Sequence, residues 1–148
     1  MSDVGAILTA LKGIKAISKR KIGVIGYCRG GKLALSAAGT YPESIRAAAS
    51  YHAGGLADDT PGSPHLLAPK LAKAVNVYVA GAIEDTSFDD AMKQRLIQAF
   101  DQAGVQHTVE TYPARHGWVP RDMPTHDAAE AEHHWCTLIP FMKESLEP

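Results

Sequence analysis

The sequence predicts an α/β fold of about four parallel strands flanked by helices, arranged as a single domain over residues 1–148. Three observations carry it. Short runs of branched or small apolar residues alternate with stretches whose apolar residues recur every three or four positions. The segments joining successive runs are long enough for the right-handed crossovers that parallel strands need. The chain's 148 residues, 45% hydrophobic and 21% charged, suit one globular domain and exclude a disordered or fibrous chain.

The elements follow in order. Residues 4–17 place Val4, Ile7, Leu8, Leu11, Ile14 and Ile17 on one stripe, which predicts a helix with that stripe toward the core. Residues 21–27, KIGVIGY, carry no charge after Lys21 and read as a strand buried on both faces. Glycines intervene before the alanine- and leucine-rich helix of residues 32–38. Residues 45–51 form a second strand, followed by a loop at 54–64 where Gly, Asp and Pro cluster. A short helix at 66–74 has Pro69 near its start, and AVNVYVA at 74–80 is the third strand. In residues 89–103, Met92, Leu96, Ala99, Phe100 and Ala103 share one helix side, and Gly104 is the stop signal. Residues 106–112 alternate as a fourth strand, and 125–146 is helical with a bend at Pro140.

Charge and composition narrow the function. Fifteen basic against 16 acidic residues give a net charge of −1, without the basic face of a nucleic-acid binder. The longest basic run, Lys19-Arg20-Lys21, reads as a solvated helix-to-strand junction. No apolar run approaches the ~18 residues of a membrane span, and the start lacks a signal-peptide pattern, so the expected compartment is the cytoplasm. Cys28 and Cys136 are too few for a disulfide scaffold and read as free thiols.

The segment Gly26-Tyr27-Cys28-Arg29-Gly30-Gly31 sits where the first strand meets a helix. Its glycines do not make the dinucleotide fingerprint. Gly26 to Lys32 nearly fits a P-loop, but Leu33 stands where a Ser or Thr should hold magnesium. The remaining reading is a nucleophile elbow, glycine-x-nucleophile-x-glycine, with Cys28 on a strained turn and small residues two positions away on either side. There the thiol faces the following helix N-terminus, which lowers a cysteine pKa. The Arg29 backbone N–H is then one oxyanion donor.

An elbow predicts an acid and then a histidine, each just past a later strand. Glu84 and Asp85 follow the third strand; Asp85 is the preferred orienting acid and Glu84 the fallback. His116 follows the fourth strand on an irregular loop. His126, Glu130, His133 and His134 read as a solvated helix face rather than metal ligands, lacking an H-E-x-x-H or cysteine cluster. His52 reads as a satisfied loop histidine that could line the site mouth, and Cys136, beside Trp135 and Leu138, as core.

These residues resemble the dienelactone hydrolase family of α/β-hydrolases. The resemblance rests on residues 23–31 (GVIGYCRGG), on Val77-Tyr78-Val79-Ala80-Gly81 followed by Asp85, on Tyr112-Pro113 leading to His116-Gly117-Trp118, and on the final helix. It implies a partial α/β-hydrolase fold lacking the N-terminal half of the sheet. It also implies a carboxymethylenebutenolidase-like hydrolase of a small lactone or ester, with Cys28 as nucleophile, His116 as base and acid, and Asp85 as its partner. Tyr27, Trp118 and Arg121 become candidate substrate contacts. No cofactor or metal, and no nucleic-acid or membrane partner, is implied.

The family's first half carries four more strands, a second oxyanion donor, an acidic residue that tunes the cysteine and an arginine for the substrate, without counterparts here. Losing one oxyanion donor costs on the order of 10²–10³ in turnover. The nucleophile strand is thereby expected to be a sheet edge, covered by association into a homodimer or higher homo-oligomer. The alternative is a catalytically weak or inactive remnant that acts as an oligomerising or interaction module.

Overall fold

The computed structural model describes residues 1–17, 21–72 and 74–147. Lys19 and Arg20 of the basic run lie outside the described residues. The elements are α1 (Ser2–Lys12), β1 (Ile22–Tyr27), α2 (Arg29–Thr40), β2 (Ile45–Tyr51), a 3₁₀ turn (Pro64–Leu67) running into α3 (Ala68–Leu71), β3 (Asn76–Ala82), a second 3₁₀ turn (Thr86–Phe88), α4 (Asp90–Ala103), β4 (His107–Tyr112) and α5 (Ala128–Leu146). The four strands form one parallel sheet in the order β1-β2-β3-β4.

Alternation along the strands separates two cores. On one face Ala48, Val77 and Val79 pack with Leu35 and Ala38 of α2 and with Leu96 and Phe100 of α4. On the other, Ala49, Tyr51, Tyr78, Ala80 and Tyr112 pack with Leu138 of α5. Each fully buried Leu or Phe contributes roughly 1.5–3 kcal/mol of apolar burial. The helix α4 starts at Asp89, whose carboxylate accepts the Met92 N–H, and stops at Gly104 in the left-handed region (φ 72°), as the sequence predicts.

Several elements depart from expectation. The first helix ends at Lys12, with Gly13 as its C-cap, so Ile14 and Ile17 fall beyond it. Only Leu8 of its stripe is buried, and Ile7 is 59% exposed. The first strand is not buried on both faces: among the described residues β1 has a strand neighbour only in β2, and Ile25 on the α5 side is 46% exposed. The final helix begins at Ala128 rather than Thr125 and includes Pro140 within its span to Leu146. It is rotated so that His134, Leu138, Phe141 and Ser145 face the sheet, a spacing of three to four residues. That rotation places Trp135, Cys136 and Ile139 in solvent, so Cys136 is not core. It also buries His134, which is not part of a solvated face.

Among the described residues no helix is long and apolar enough to cross a membrane. Parallel register brings Tyr27 opposite Tyr51, Tyr51 opposite Ala80 and Ala82 opposite Tyr112. The residues that follow the strands therefore emerge at one edge of the sheet, where parallel α/β folds place their sites.

Candidate active site

Cys28 occupies the sharp turn between β1 and α2 with φ 51° and ψ −126°. A non-glycine residue at positive φ is disfavoured, and such strain clusters at functional positions. The turn is possible because Gly26 has no side chain: a Cβ there would lie 2.0 Å from the Gly30 carbonyl oxygen. The matching requirement at Gly30 is absent, since a Cβ there meets nothing within 4 Å. The second steric constraint falls instead on Gly31, where a Cβ would lie 2.4 Å from Ser50 Oγ and 2.7 Å from Ala53 Cβ.

His116 bridges the other two residues of the predicted constellation. Its Nδ1 lies 2.8 Å from Asp85 Oδ2, and its Nε2 lies 3.0 Å from Cys28 Sγ. The loop that carries it turns at Gly117 (φ 89°), and Thr125 Oγ1 donates to the His116 carbonyl at 2.7 Å. Asp85 is held from its other oxygen, which accepts the Ser87 N–H at 2.9 Å and the Ser87 hydroxyl at 2.5 Å. Glu84 instead pairs with Arg115 at 3.2 Å, both side chains about 70% exposed, so that pair contributes little.

The electrostatics follow from these contacts. The hydrogen bond with His116 holds the Cys28 thiol below its ordinary pKa against partial burial, and the Arg29 backbone N–H acts in the same direction. Burial disfavours a charged His116, but bonds to Asp85 and Cys28 outweigh it and raise its pKa. Burial also acts to raise Asp85, yet its bonds to Ser87 and His116 bring it below the usual carboxylate value. All three shifts favour moving the thiol proton to His116. Beside His116, an open groove of about 410 Å³ is lined by Asp85, Thr86, Arg115 and Thr125.

Tyr27, Trp118 and Arg121, the candidate substrate contacts, do not line the groove beside His116. Trp118 is fully buried, packed against the rings of His52 and Tyr112, and presents no surface to a substrate in this chain. The Tyr27 hydroxyl donates to His134 Nε2 at 2.7 Å, directing it beneath α5. Arg121 lines a separate groove with His126, Glu132 and Trp135, apart from the one beside His116. Lys32, the lysine of the rejected P-loop reading, is paired with Asp58 at 2.8 Å. Glu130 and His133 bond each other at 3.0 Å, and His126 Nδ1 bonds the Trp118 carbonyl.

One residue at the site was not foreseen in its role. His52 lies in the loop directly after β2, but it is 1% exposed and does not line the mouth; its Nδ1 accepts the Cys28 N–H at 3.2 Å. Its position directly after β2, beside the elbow in register, was the available signal.

Comparison with known proteins identifies the fold and the family. A protein of Synechocystis sp. named "Putative carboxymethylenebutenolidase" is 26% identical over 151 residues, covering 99% of this chain and 60% of its own length. A Klebsiella pneumoniae crystal structure named "Putative Dienelactone Hydrolase" superimposes with a TM-score of 0.81 at 19% identity, over 96% of this chain and 59% of its own. A dienelactone hydrolase-like promiscuous phosphotriesterase from metagenomic libraries gives 0.79 at 22% identity, over 97% and 60%. At these identities the structural likeness is one of fold, and this chain spans about 60% of the length of the relatives it matches. The family model for the dienelactone hydrolase family matches residues 1–146, and the chain belongs to that family.

Proposed function

We propose that this chain carries the catalytic centre of a thiol-dependent hydrolase of small lactones or esters, with Cys28 as nucleophile, His116 as general base and acid, and Asp85 as its orienting carboxylate. The observation that carries this reading is the single imidazole within hydrogen-bond reach of both sulfur and carboxylate. With Nδ1–H donating to Asp85, the Nε2 lone pair faces the thiol.

In this mechanism Nε2 takes the thiol proton as the sulfur attacks the substrate carbonyl. The carbonyl oxygen becomes an oxyanion, with the Arg29 backbone N–H as one donor. The Nε2 proton then passes to the leaving alkoxide, and a thioester remains on Cys28. Water, deprotonated by His116, attacks the thioester; release of the acid and return of the proton to sulfur complete the cycle. In a lactone the alkoxide and the acyl group belong to one molecule, so a single hydroxy acid leaves at the end.

A burst of alcohol release from an activated ester, followed by slower turnover and abolished by Cys28→Ala, is the expected result. Turnover unchanged in Cys28→Ala would overturn the mechanism. A cytoplasmic setting and association into a homodimer or higher homo-oligomer belong to the same proposal; the exposed flank of β1 at Ile25 supports the association.

A further inference from the structure

Among the described residues three that are not glycine adopt positive φ: Cys28 (51°), Glu84 (53°) and His52 (41°). Cys28 is the proposed nucleophile and Glu84 leads directly into Asp85. His52 has no part in the triad, yet it shares their disfavoured backbone at the same edge of the sheet.

We propose that His52 is a positioning residue for the nucleophile turn: a neutral imidazole whose Nδ1 accepts the Cys28 N–H, tying the strand ends together so that the sulfur stays on His116 Nε2. This rests on the reading of Cys28 as nucleophile. The Cys28 N–H is shared between the Tyr51 carbonyl at 3.0 Å and His52 Nδ1 at 3.2 Å. The His52 N–H donates to the Ala80 carbonyl at 2.8 Å. Its ring centroid lies 5.2 Å from that of His116 and 4.9 Å from that of Trp118. One residue at the end of β2 thus meets the end of β1, strand β3 and the loop after β4.

The acceptor role at Nδ1 places the ring proton on Nε2. That nitrogen is buried without a hydrogen-bond partner among the described residues. An unpaired buried donor is costly, and an apolar side chain would fill the same space without that cost. The use of the other nitrogen accounts for a histidine here.

The facing titratable groups are Tyr27 of β1, Cys28 in the turn after it, Asp85 after β3, His116 after β4 and His134 of α5. Burial first, and the nearby His116 second, keep His52 neutral, with its pKa brought down to about 4, while Asp85 acts in the opposite direction. His116 can then gain the thiol proton without a second cation beneath it. Protonation of His52 in acid replaces the acceptor at Nδ1 with a donor facing the Cys28 N–H.

The first test is long-range ¹H–¹⁵N correlation on histidine-labelled protein, which is expected to show His52 as the Nε2–H tautomer at neutral pH; an Nδ1–H tautomer overturns the proposal. The second compares iodoacetamide alkylation of Cys28 in two variants. In His52→Asn the amide oxygen can replace Nδ1 and the residue tolerates positive φ, so alkylation stays within about twofold of the parent chain. In His52→Leu the acceptor is lost, so alkylation slows by roughly five- to tenfold and its pH midpoint rises, with the circular dichroism spectrum unchanged. A folded His52→Leu chain that alkylates like the parent, or a His52→Asn chain slowed as much as an apolar replacement predicts, overturns the role. Should His52→Leu fail to fold, the tautomer and His52→Asn decide alone. Neither readout needs ester turnover, so their failure leaves the hydrolase reading standing, whereas turnover surviving Cys28→Ala removes that reading without altering the tautomer.

Discussion

His116 Nε2 lies 3.0 Å from Cys28 Sγ, close enough for the proton between them to be shared. The contact lowers the thiol pKa and raises that of the imidazole. A lowered thiol pKa means that thiolate persists below the pH at which an ordinary cysteine is protonated, and reactivity fades only as pH falls through the lowered value. Alkylation of Cys28 followed by mass spectrometry is therefore expected to show a pH midpoint below that of an ordinary cysteine thiol. Replacing His116 by Ala removes the first cause of that lowering, so the Cys28 midpoint is expected to shift upward and its labelling near pH 6 to slow. Superimposable profiles for the parent and His116→Ala chains would show that the contact does not activate the sulfur.

Asp85 acts on the same imidazole from the other side. In Asp85→Asn the amide oxygen can keep both bonds from Ser87, while the amide N–H₂ faces His116 Nδ1. That geometry favours the Nε2–H tautomer, which turns an N–H toward the sulfur in place of a lone pair. Turnover is expected to fall by ~10⁴ with the thermal midpoint almost unchanged, as in triads whose acid is amidated. A loss below tenfold in a folded Asp85→Asn chain would mean that His116 is oriented by other groups.

The two glycines of the elbow motif are not equivalent. An alanine at position 26 would drive its Cβ into the backbone of Gly30, which cannot yield without reshaping the turn. An alanine at position 30 meets open space in the first turn of α2. Gly26→Ala is expected to give little folded protein. Gly30→Ala is expected to raise stability by roughly 0.4–1 kcal/mol through lower unfolded-state entropy and better helix propensity. Chemical denaturation of the two variants checks both, and equal effects would show that the turn is held differently.

Much of the arrangement was legible because its signals are local or ordered along the chain. The segment 23–31 displays the elbow in consecutive residues, and the acid and histidine follow the next strand ends in sequence, so Cys28, Asp85 and His116 could be named together. Asp89 and Gly104 bracket α4 with capping chemistry that needs no tertiary context. The misjudged features depend on how elements rotate and pair. With apolar residues on several sides of α5, periodicity did not reveal that His134 and Leu138 would face the sheet and leave Trp135 and Cys136 outside. His52 gains its role from parallel register, which sets the end of β2 beside the Cys28 turn. Trp118 stands two residues past His116 in sequence, yet the turn at Gly117 and the packing of Tyr112 and His52 send it inward.

The open flank of β1 bears on association. Gly23, Ile25 and Tyr27 alternate toward α5. A Cβ on Gly23 would meet Met142 and Leu146, and Tyr27 bonds His134, so α5 engages both ends of that face while Ile25 stays 46% exposed. An edge strand with an exposed branched residue presents unpaired backbone groups beside apolar surface, a template for pairing. Sedimentation equilibrium is expected to show self-association of this chain at micromolar concentration. Ile25→Lys adds a charge to that flank without removing a fully buried side chain, and is expected to shift the equilibrium to monomer by about tenfold or more in the dissociation constant, equivalent to ~1.4 kcal/mol. A parent chain that sediments as a monomer, or an association unchanged by Ile25→Lys, would place any interface away from this edge.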